Sequence, residues 1–89
     1  MGQTRYNYPM QSRLKKLHYH SWHRGTREND LLLGRFADQT LEALTSEELT
    51  QYEALLNLPD TTLYEWMSGQ GEPPVEFQPL VAKIRAFHA

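Results

Sequence analysis

The apolar residues of this 89-residue chain recur at spacings of three and four, and no segment alternates between apolar and polar residues with a period of two. The first spacing places side chains on one face of an α-helix, whereas a half-buried strand requires the second. The clearest such stripe is Phe77, Leu80, Val81, Ile84 and Phe87. The pattern predicts an all-α fold, a small single-domain bundle of about five helices. Residues 1–11 show no periodicity and are predicted to be a flexible N-terminal arm, with residues 12–89 forming the helical bundle.

Capping residues and glycine predict where the first two helices begin and end. Ser12 is the expected N-cap of a first helix that runs to about His23, and Gly25 is the residue type that tolerates the left-handed backbone after a helix. The second helix is expected to begin near Thr26 or Arg27. Because it is the most apolar segment, it is predicted to be the central helix of the bundle.

Three further helices are predicted in the second half of the chain. Asp38–Thr40 is interpreted as a break, and Thr45–Glu48 has the pattern of a capping box that opens the third helix. Pro59 stops that helix, and Asp60 is expected to be the N-cap of a short fourth helix that ends at Gly69. The C-terminal apolar stripe predicts the fifth. Trp22 and Trp66 are expected in the core or at its edge, because they occur among leucines at helical spacing.

Composition excludes several classes of protein. Without cysteine there is no disulfide framework, no thiolate nucleophile and no cysteine-based metal site. No apolar run approaches the roughly 18 residues that cross a bilayer, and residues 1–10 lack the apolar region of a secretory signal. We expect a bacterial cytoplasmic protein, or a mitochondrial-matrix protein if the source is eukaryotic. The missing transit-like segment favours the bacterial case.

The sequence offers little support for catalysis or metal binding. His20 and His23 would share a helix face, but His18 would lie elsewhere, and two imidazoles with no nearby carboxylate make a poor zinc site. No pattern of a catalytic triad, paired carboxylates or a glycine-rich phosphate loop is present. We therefore expect neither an enzyme nor a metal site.

Charge is distributed unevenly along the chain. Residues 1–27 contain six basic and no acidic residues, whereas all 11 acidic residues follow with three basic ones. A basic first third could contact nucleic acid or an acidic protein surface. Alternatively, the basic and acidic parts of the chain fold against each other and partly neutralise each other's charge.

The most polar segment, His23–Asp30, lies between the first two predicted helices. An ordinary helix start explains its two carboxylates, which gain about 0.3–1 kcal/mol from the helix dipole, with the glycine as a helix stop and the arginines as surface charges. In the functional interpretation, Gly25 lets a partner backbone approach closely, while Arg24 and Glu28 offer one cation and one anion at fixed spacing. The candidate partner-binding residues are His23, Arg24, Gly25, Arg27, Glu28 and Asp30.

Several motifs resemble those of one family. Residues 24–28 read Arg-Gly-Thr-Arg-Glu, which fits an RGxxE motif, and a leucine-rich segment follows at residues 29–33. Further matches are Tyr-Glu-Ala-Leu-Leu at residues 52–56, and Asp60 and Leu63 ahead of Trp-Met at residues 66–67. Over about residues 12–72, the chain resembles the small FAD assembly factors of succinate dehydrogenase.

The resemblance implies a function. Members of that family have a five-helix fold, bind the flavoprotein subunit of succinate dehydrogenase and, in bacteria, the related fumarate reductase subunit, and promote covalent attachment of FAD to a histidine of that subunit. It implies a maturation chaperone with no catalytic group of its own. We expect a monomer that binds no cofactor tightly. On the matching positions, Arg24, Gly25 and Glu28 would contact the flavoprotein near its flavin site.

Two other classes of function remain open from the residues. One is a helical bundle that binds a different protein, as antitoxins do, and capture of a partner other than a flavoprotein would favour it. The other is a nucleic-acid-binding module, for which binding that weakens steeply with salt is the expected mark. Its basic residues would be Arg13, Lys15, Lys16, Arg24 and Arg27.

Overall fold

The structure, a computed structural model, describes the backbone of residues 2–89 and the side chains of residues 12–89. It contains five α-helices: α1 (Gly2–Trp22), α2 (Arg27–Thr40), α3 (Ser46–Leu56), α4 (Asp60–Ser68) and α5 (Gln78–His88). Two short 3-10 turns, Leu41–Ala43 and Val75–Phe77, precede α3 and α5. No strand occurs within residues 2–89. The predicted all-α bundle of five helices is confirmed.

Two predicted boundaries are wrong. Helix α1 already begins at Gly2, so Ser12 lies inside it as an exposed residue, a position that serine occupies at little cost. Helix α2 continues through the predicted break to Thr40. The Asp38 carboxylate accepts hydrogen bonds from Trp22 and His18 of α1, so it does not compete for its own backbone. That residues 1–11 form a flexible arm separate from the bundle stays a prediction, because nothing here tests it.

Helix α2 lies at the centre of the bundle, as predicted, and packs against α1, α4 and α5. Its buried face includes Leu33, Phe36 and Ala37. The other helices contribute buried apolar residues from one face each: Leu17 of α1, Leu49, Tyr52, Leu55 and Leu56 of α3, Leu63 and Trp66 of α4, and Leu80, Val81 and Ile84 of α5. These stripes agree with the helical spacing in the sequence.

A polar link crosses this core. The Tyr52 hydroxyl lies 2.6 Å from Ser21 Oγ and donates to the Leu33 carbonyl oxygen at 3.3 Å. Burial raises the pKa of Tyr52 well above its usual range, so the hydroxyl stays protonated. The link connects α1, α2 and α3.

The crossing of α1 over α2 depends on a glycine. A Cβ on Gly34 would lie 2.3–2.6 Å from ring atoms of Trp22, closer than any real contact. The indole therefore rests on the bare backbone of α2, and its Nε1 donates to Asp38 Oδ1 at 3.0 Å. Since Trp22 is the last residue of α1, this contact fixes where the following loop begins. Trp22 lies at the core edge and Trp66 is buried, both as predicted.

The start of α4 differs from the prediction. Pro59 is the N-cap, Asp60 is the first helical residue, and no side-chain capping bond is made. The expected role of Asp60 as an N-cap is therefore wrong, because its carboxylate is held by residues of α2 and of the loop before it. Gly69, in the left-handed conformation at φ 82°, ends the helix as predicted. Among the helices of residues 2–89, none is both long and apolar enough to span a membrane.

Candidate functional site

The loop between α1 and α2, residues 23–26, is held by hydrogen bonds to the first turn of α2. Gly25 has φ 107°, a left-handed value that favours glycine, and this lets the chain reverse direction. Thr26 is the N-cap of α2, and its hydroxyl accepts a hydrogen bond from the Asn29 backbone N–H at 3.3 Å. One turn later, Asp30 Oδ1 accepts a hydrogen bond from the Arg24 backbone N–H. Asp30 is therefore an internal brace of the loop.

Arg24 fastens this loop to the junction between α3 and α4. Its side chain is only 14% exposed, and Nε donates to Asp60 Oδ1 at 3.2 Å. The two terminal nitrogens donate to the carbonyl oxygens of Leu56 and Leu58, the second at 2.8 Å. These carbonyls lie at the end of α3, where backbone oxygens lack helical partners and a cation is favoured. All three nitrogens of the guanidinium thus donate hydrogen bonds within the protein.

Asn29 completes the network from the other side. It is 1% exposed, and its Nδ2 donates to the Asp60 backbone oxygen at 3.0 Å and to Asp60 Oδ1 at 3.3 Å. Asp60 therefore joins the loop, α2 and α4, and a Cβ on Gly25 would lie 3.5 Å from its Oδ2. We call Arg24, Asn29 and Asp60 the loop anchor.

Asn29 was not among the predicted site residues. A signal was present, since it precedes Leu33 by four positions and Phe36 by seven and so lies on the buried stripe of α2.

The outward side of the loop consists of Gly25, Thr26, Arg27 and Glu28, all exposed. We call these four residues the exposed loop face. Among the described residues, the side chains of Arg27 and Glu28 have no hydrogen-bond partner or ion pair. His23 is also exposed, but it stacks on Tyr19 with ring centroids 4.0 Å apart.

The structure therefore divides the six predicted site residues, although all lie on one loop and helix start. Three of them, Gly25, Arg27 and Glu28, face solvent, whereas Arg24 and Asp30 face inward and His23 packs on its own helix.

Two surface depressions lie on either side of the exposed loop face. One, of about 600 Å³, is bounded by the end of α1 and the start of α2, with Trp22, His23 and Leu31 among its lining residues. The other, of about 450 Å³, lies between the first turns of α2 and α4, with Glu28, Asn29, Asp60, Tyr64 and Glu65 among its lining residues. A ridge between two depressions suits contact with another protein better than enclosure of a small substrate.

Two cations of the basic first third pair with acidic residues, as expected if the two parts of the chain fold against each other and partly neutralise their charges. Arg13 pairs with Glu53 at 3.0 Å, and Arg24 pairs with Asp60. Two of the five cations considered for nucleic-acid binding are thus bonded internally. His18 is bonded to Asp38, and residues 12–89 contain no group of three potential metal ligands. Hydrogen bonds from Trp22 and His18 hold the pKa of Asp38 below its usual range.

Comparison with known proteins identifies related chains. The family model described as flavinator of succinate dehydrogenase matches residues 15–88, which include the loop anchor and the exposed loop face. A mitochondrial succinate dehydrogenase assembly factor 2 from Dictyostelium discoideum is 43% identical over 74 residues, which are 83% of this chain and 52% of the relative. The FAD assembly factor SdhE from Acetobacter pasteurianus is 38% identical over 65 residues, 73% of this chain and 60% of the relative.

The chain therefore spans about half to three fifths of the length of these curated relatives. No solved structure matches.

Proposed function

The chain belongs to the family described as flavinator of succinate dehydrogenase, and on this premise we propose that it is an assembly factor for that enzyme. In this proposal it binds the flavoprotein subunit and promotes covalent attachment of FAD to it. We extend the proposal to the related subunit of fumarate reductase. The relatives are named as assembly factors, one mitochondrial and one from a bacterium. We propose that the chain works where its client matures, in the bacterial cytoplasm or the mitochondrial matrix.

The observation that carries the proposal is the exposed loop face on its rigid support. The loop anchor fixes the backbone of residues 23–26 from two other helices. A surface that is already ordered loses less conformational entropy on binding than a mobile loop. It presents the bare backbone of Gly25 beside one cation, Arg27, and one anion, Glu28. We therefore assign client contact to the exposed loop face and a positioning role to Arg24.

The chemistry of flavin attachment is proposed to remain with the client. The factor would hold the flavoprotein with its FAD site ordered, so that the reacting groups of client and FAD stay close together. Such positioning can contribute several kcal/mol without any catalytic group from the factor. In this proposal the chain acts as a monomer and binds no FAD tightly itself. It dissociates from the subunit after FAD has been attached.

The test compares two glutamates that occupy equivalent positions on different helices. Glu28 is the second residue of α2, Glu47 is the second residue of α3, and both are exposed. Glu28→Ala and Glu47→Ala therefore cost similar helix-dipole energy. We expect Glu28→Ala to weaken binding of the flavoprotein subunit by about fivefold or more, and Glu47→Ala to leave it unchanged. Isothermal titration calorimetry measures this directly.

Covalent flavin is then measured as fluorescence of the denatured flavoprotein subunit. Cells lacking the factor are compared with cells that carry the wild type, Glu28→Ala or Glu47→Ala at equal abundance. We expect covalent flavin with the wild type and with Glu47→Ala, and a clear loss with Glu28→Ala and without the factor. Equal covalent flavin in all four strains would exclude this client.

A further inference from the structure

We propose that the depression between the first turns of α2 and α4 receives an arginine side chain of the partner protein. The inference rests on the proposed function for the identity of that partner, but its chemistry comes from the groove itself. We call this depression the α2–α4 groove. It shares Thr26 and Glu28 with the exposed loop face, so the two surfaces are continuous.

The charge of the groove selects a cation. Three carboxylates, those of Glu28, Asp60 and Glu65, line it, and no basic residue is among its lining residues. Arg24 offsets only one of these charges, because it donates to Asp60 Oδ1. Among the described residues, Asp60 Oδ2 and the carboxylates of Glu28 and Glu65 have no hydrogen-bond partner. Two helix N-termini explain Glu28 and Asp60, but Glu65 lies in the middle of α4 and has no such explanation.

A second observation, independent of the charge, is an unpaired acceptor. Asn29 lines the groove and is 1% exposed, and within the described part of the chain its Oδ1 is buried without a hydrogen-bond partner. The orientation of the amide is fixed, because Nδ2 donates to two oxygens of Asp60 and a flipped amide would place oxygen against oxygen. A buried acceptor without a donor is destabilising and rare, and a donor from outside would remove that penalty.

Arginine fits these acceptors better than lysine. A guanidinium carries five N–H donors in a planar fork, so it can bond several oxygens that lie in different directions, whereas an ammonium is a compact point charge with three donors. The groove also offers an aromatic face, since Tyr64 is 44% exposed and lines it. A guanidinium stacks on such a ring while bonding to carboxylates. The occupant is therefore a partner arginine next to the segment that contacts Gly25.

The first arm of the test uses a small probe and needs no partner. The 15N-labelled chain is titrated with acetyl-arginine methylamide, and in parallel with the citrulline analogue, which has the same length and no charge. We expect the arginine probe to shift the side-chain amide of Asn29 and the backbone amides of Thr61 and Tyr64, and Glu65→Gln to reduce these shifts at the same probe concentration. Equal shifts with both probes, or none at these residues with the arginine probe, would overturn the inference.

The second arm uses the full chain and the flavoprotein subunit. Glu65→Gln removes one charge from the groove, and Glu76→Gln removes an exposed charge from a turn outside it. We expect Glu65→Gln to weaken binding about two- to fivefold and to reduce its salt dependence, while Glu76→Gln behaves as wild type. If wild type binds and Glu65→Gln binds equally well, the inference fails and the proposed function stands. If wild type does not bind this subunit at all, the proposed function fails, and the probe titration decides the inference alone.

Discussion

Two helix starts in this molecule are built in opposite ways. Helix α3 begins with a capping box, in which Thr45 Oγ1 accepts from the Glu48 N–H at 3.1 Å and Glu48 Oε1 accepts from the Thr45 N–H at 2.9 Å. Helix α4 has no side-chain cap, and the carboxylate of its first residue, Asp60, bonds instead to residues 36 and 31 positions earlier. The cap of α3 is made within four residues near the surface, with Glu48 also paired with Lys83 of α5, whereas the bonds at the start of α4 are long-range and largely buried.

The start of α3 therefore stabilises one helix, whereas the start of α4 organises a surface. The capping box satisfies the backbone of α3 and bears on no other loop. The loop anchor at the start of α4 determines the conformation of residues 23–26, and with it the direction in which the exposed loop face points. The same residue type, an acid at a helix N-terminus, therefore has two different consequences. Three substitutions test this comparison, and they are given in order of expected effect.

Arg24→Ala breaks the loop anchor and is expected to have the largest effect. It leaves two carbonyl oxygens without this donor and the Asp60 carboxylate without its paired cation, in a site that is only 14–29% exposed. Unpaired groups of this kind cost about 2–4 kcal/mol. We expect urea denaturation, followed by circular dichroism, to show a loss of that size in the free energy of unfolding.

The matched control is Arg13→Ala, which removes an arginine from the more exposed pair with Glu53. We expect that variant to lose less than about 1 kcal/mol. The double variant Arg24→Ala with Asp60→Ala should be more stable than the sum of the single losses implies, because the charge left unpaired by the first change is then absent. Additive losses would show that Arg24 and Asp60 do not act as one unit.

Gly25→Ala is expected to have an intermediate effect on stability. An added Cβ meets only Asp60 Oδ2 at 3.5 Å, an ordinary contact, so the cost comes from φ 107° and not from crowding. A left-handed backbone costs a residue other than glycine about 1–2 kcal/mol. Gly69→Ala is a matched control, with φ 82° and no atom within 4 Å of its Cβ.

Both glycine variants should lose similar stability, as measured by thermal or urea unfolding. Only Gly25→Ala should weaken binding of the flavoprotein subunit, because Gly69 lies at the other end of α4. If the two variants lost binding equally, the effect would follow from stability alone and the exposed loop face would not be the contact surface.

The same comparison explains how much could be predicted from the sequence. The capping box of α3 and the glycine that ends α4 were predicted correctly, because each depends on residues within a few positions of one another. The sequence also located the loop and its exposed residues, and the resemblance named the family that the comparisons show.

The role of Asp60 was wrong because an N-cap is a local interpretation. Its carboxylate accepts a hydrogen bond from Arg24, which lies 36 positions away in the sequence. Only the packing of α2 against α4 brings the two residues together. The prediction of a helix break at Asp38–Thr40 was wrong for the same reason, since His18 and Trp22 of α1 bind the Asp38 carboxylate. Local patterns thus fix elements, while tertiary contacts decide which polar residues anchor and which remain exposed.

Glu48→Gln tests the local helix start and should have the smallest effect. Hydrogen bonds from Lys83 Nζ at 2.8 Å and from the Thr45 backbone N–H hold the pKa of Glu48 below its ordinary 4.5. The folded state therefore releases this proton more readily than the unfolded state, so the stabilisation is complete above pH 4.5 and is lost as pH falls through the folded-state pKa.

With glutamine in place of Glu48, the drop in unfolding free energy between pH 7 and pH 3 should shrink by about 0.5 kcal/mol, a small value because the pair with Lys83 is partly exposed. Glu47→Gln, at an exposed neighbour, should leave the drop unchanged. The acid sensitivity that remains includes the part from Asp38, whose pKa is also lowered. Client binding at pH 7 should be equal in both variants and wild type, because the α3 start supports no part of the exposed loop face. Loss of binding with Glu48→Gln alone would show that the two helix starts are coupled, and the contrast between them would fail.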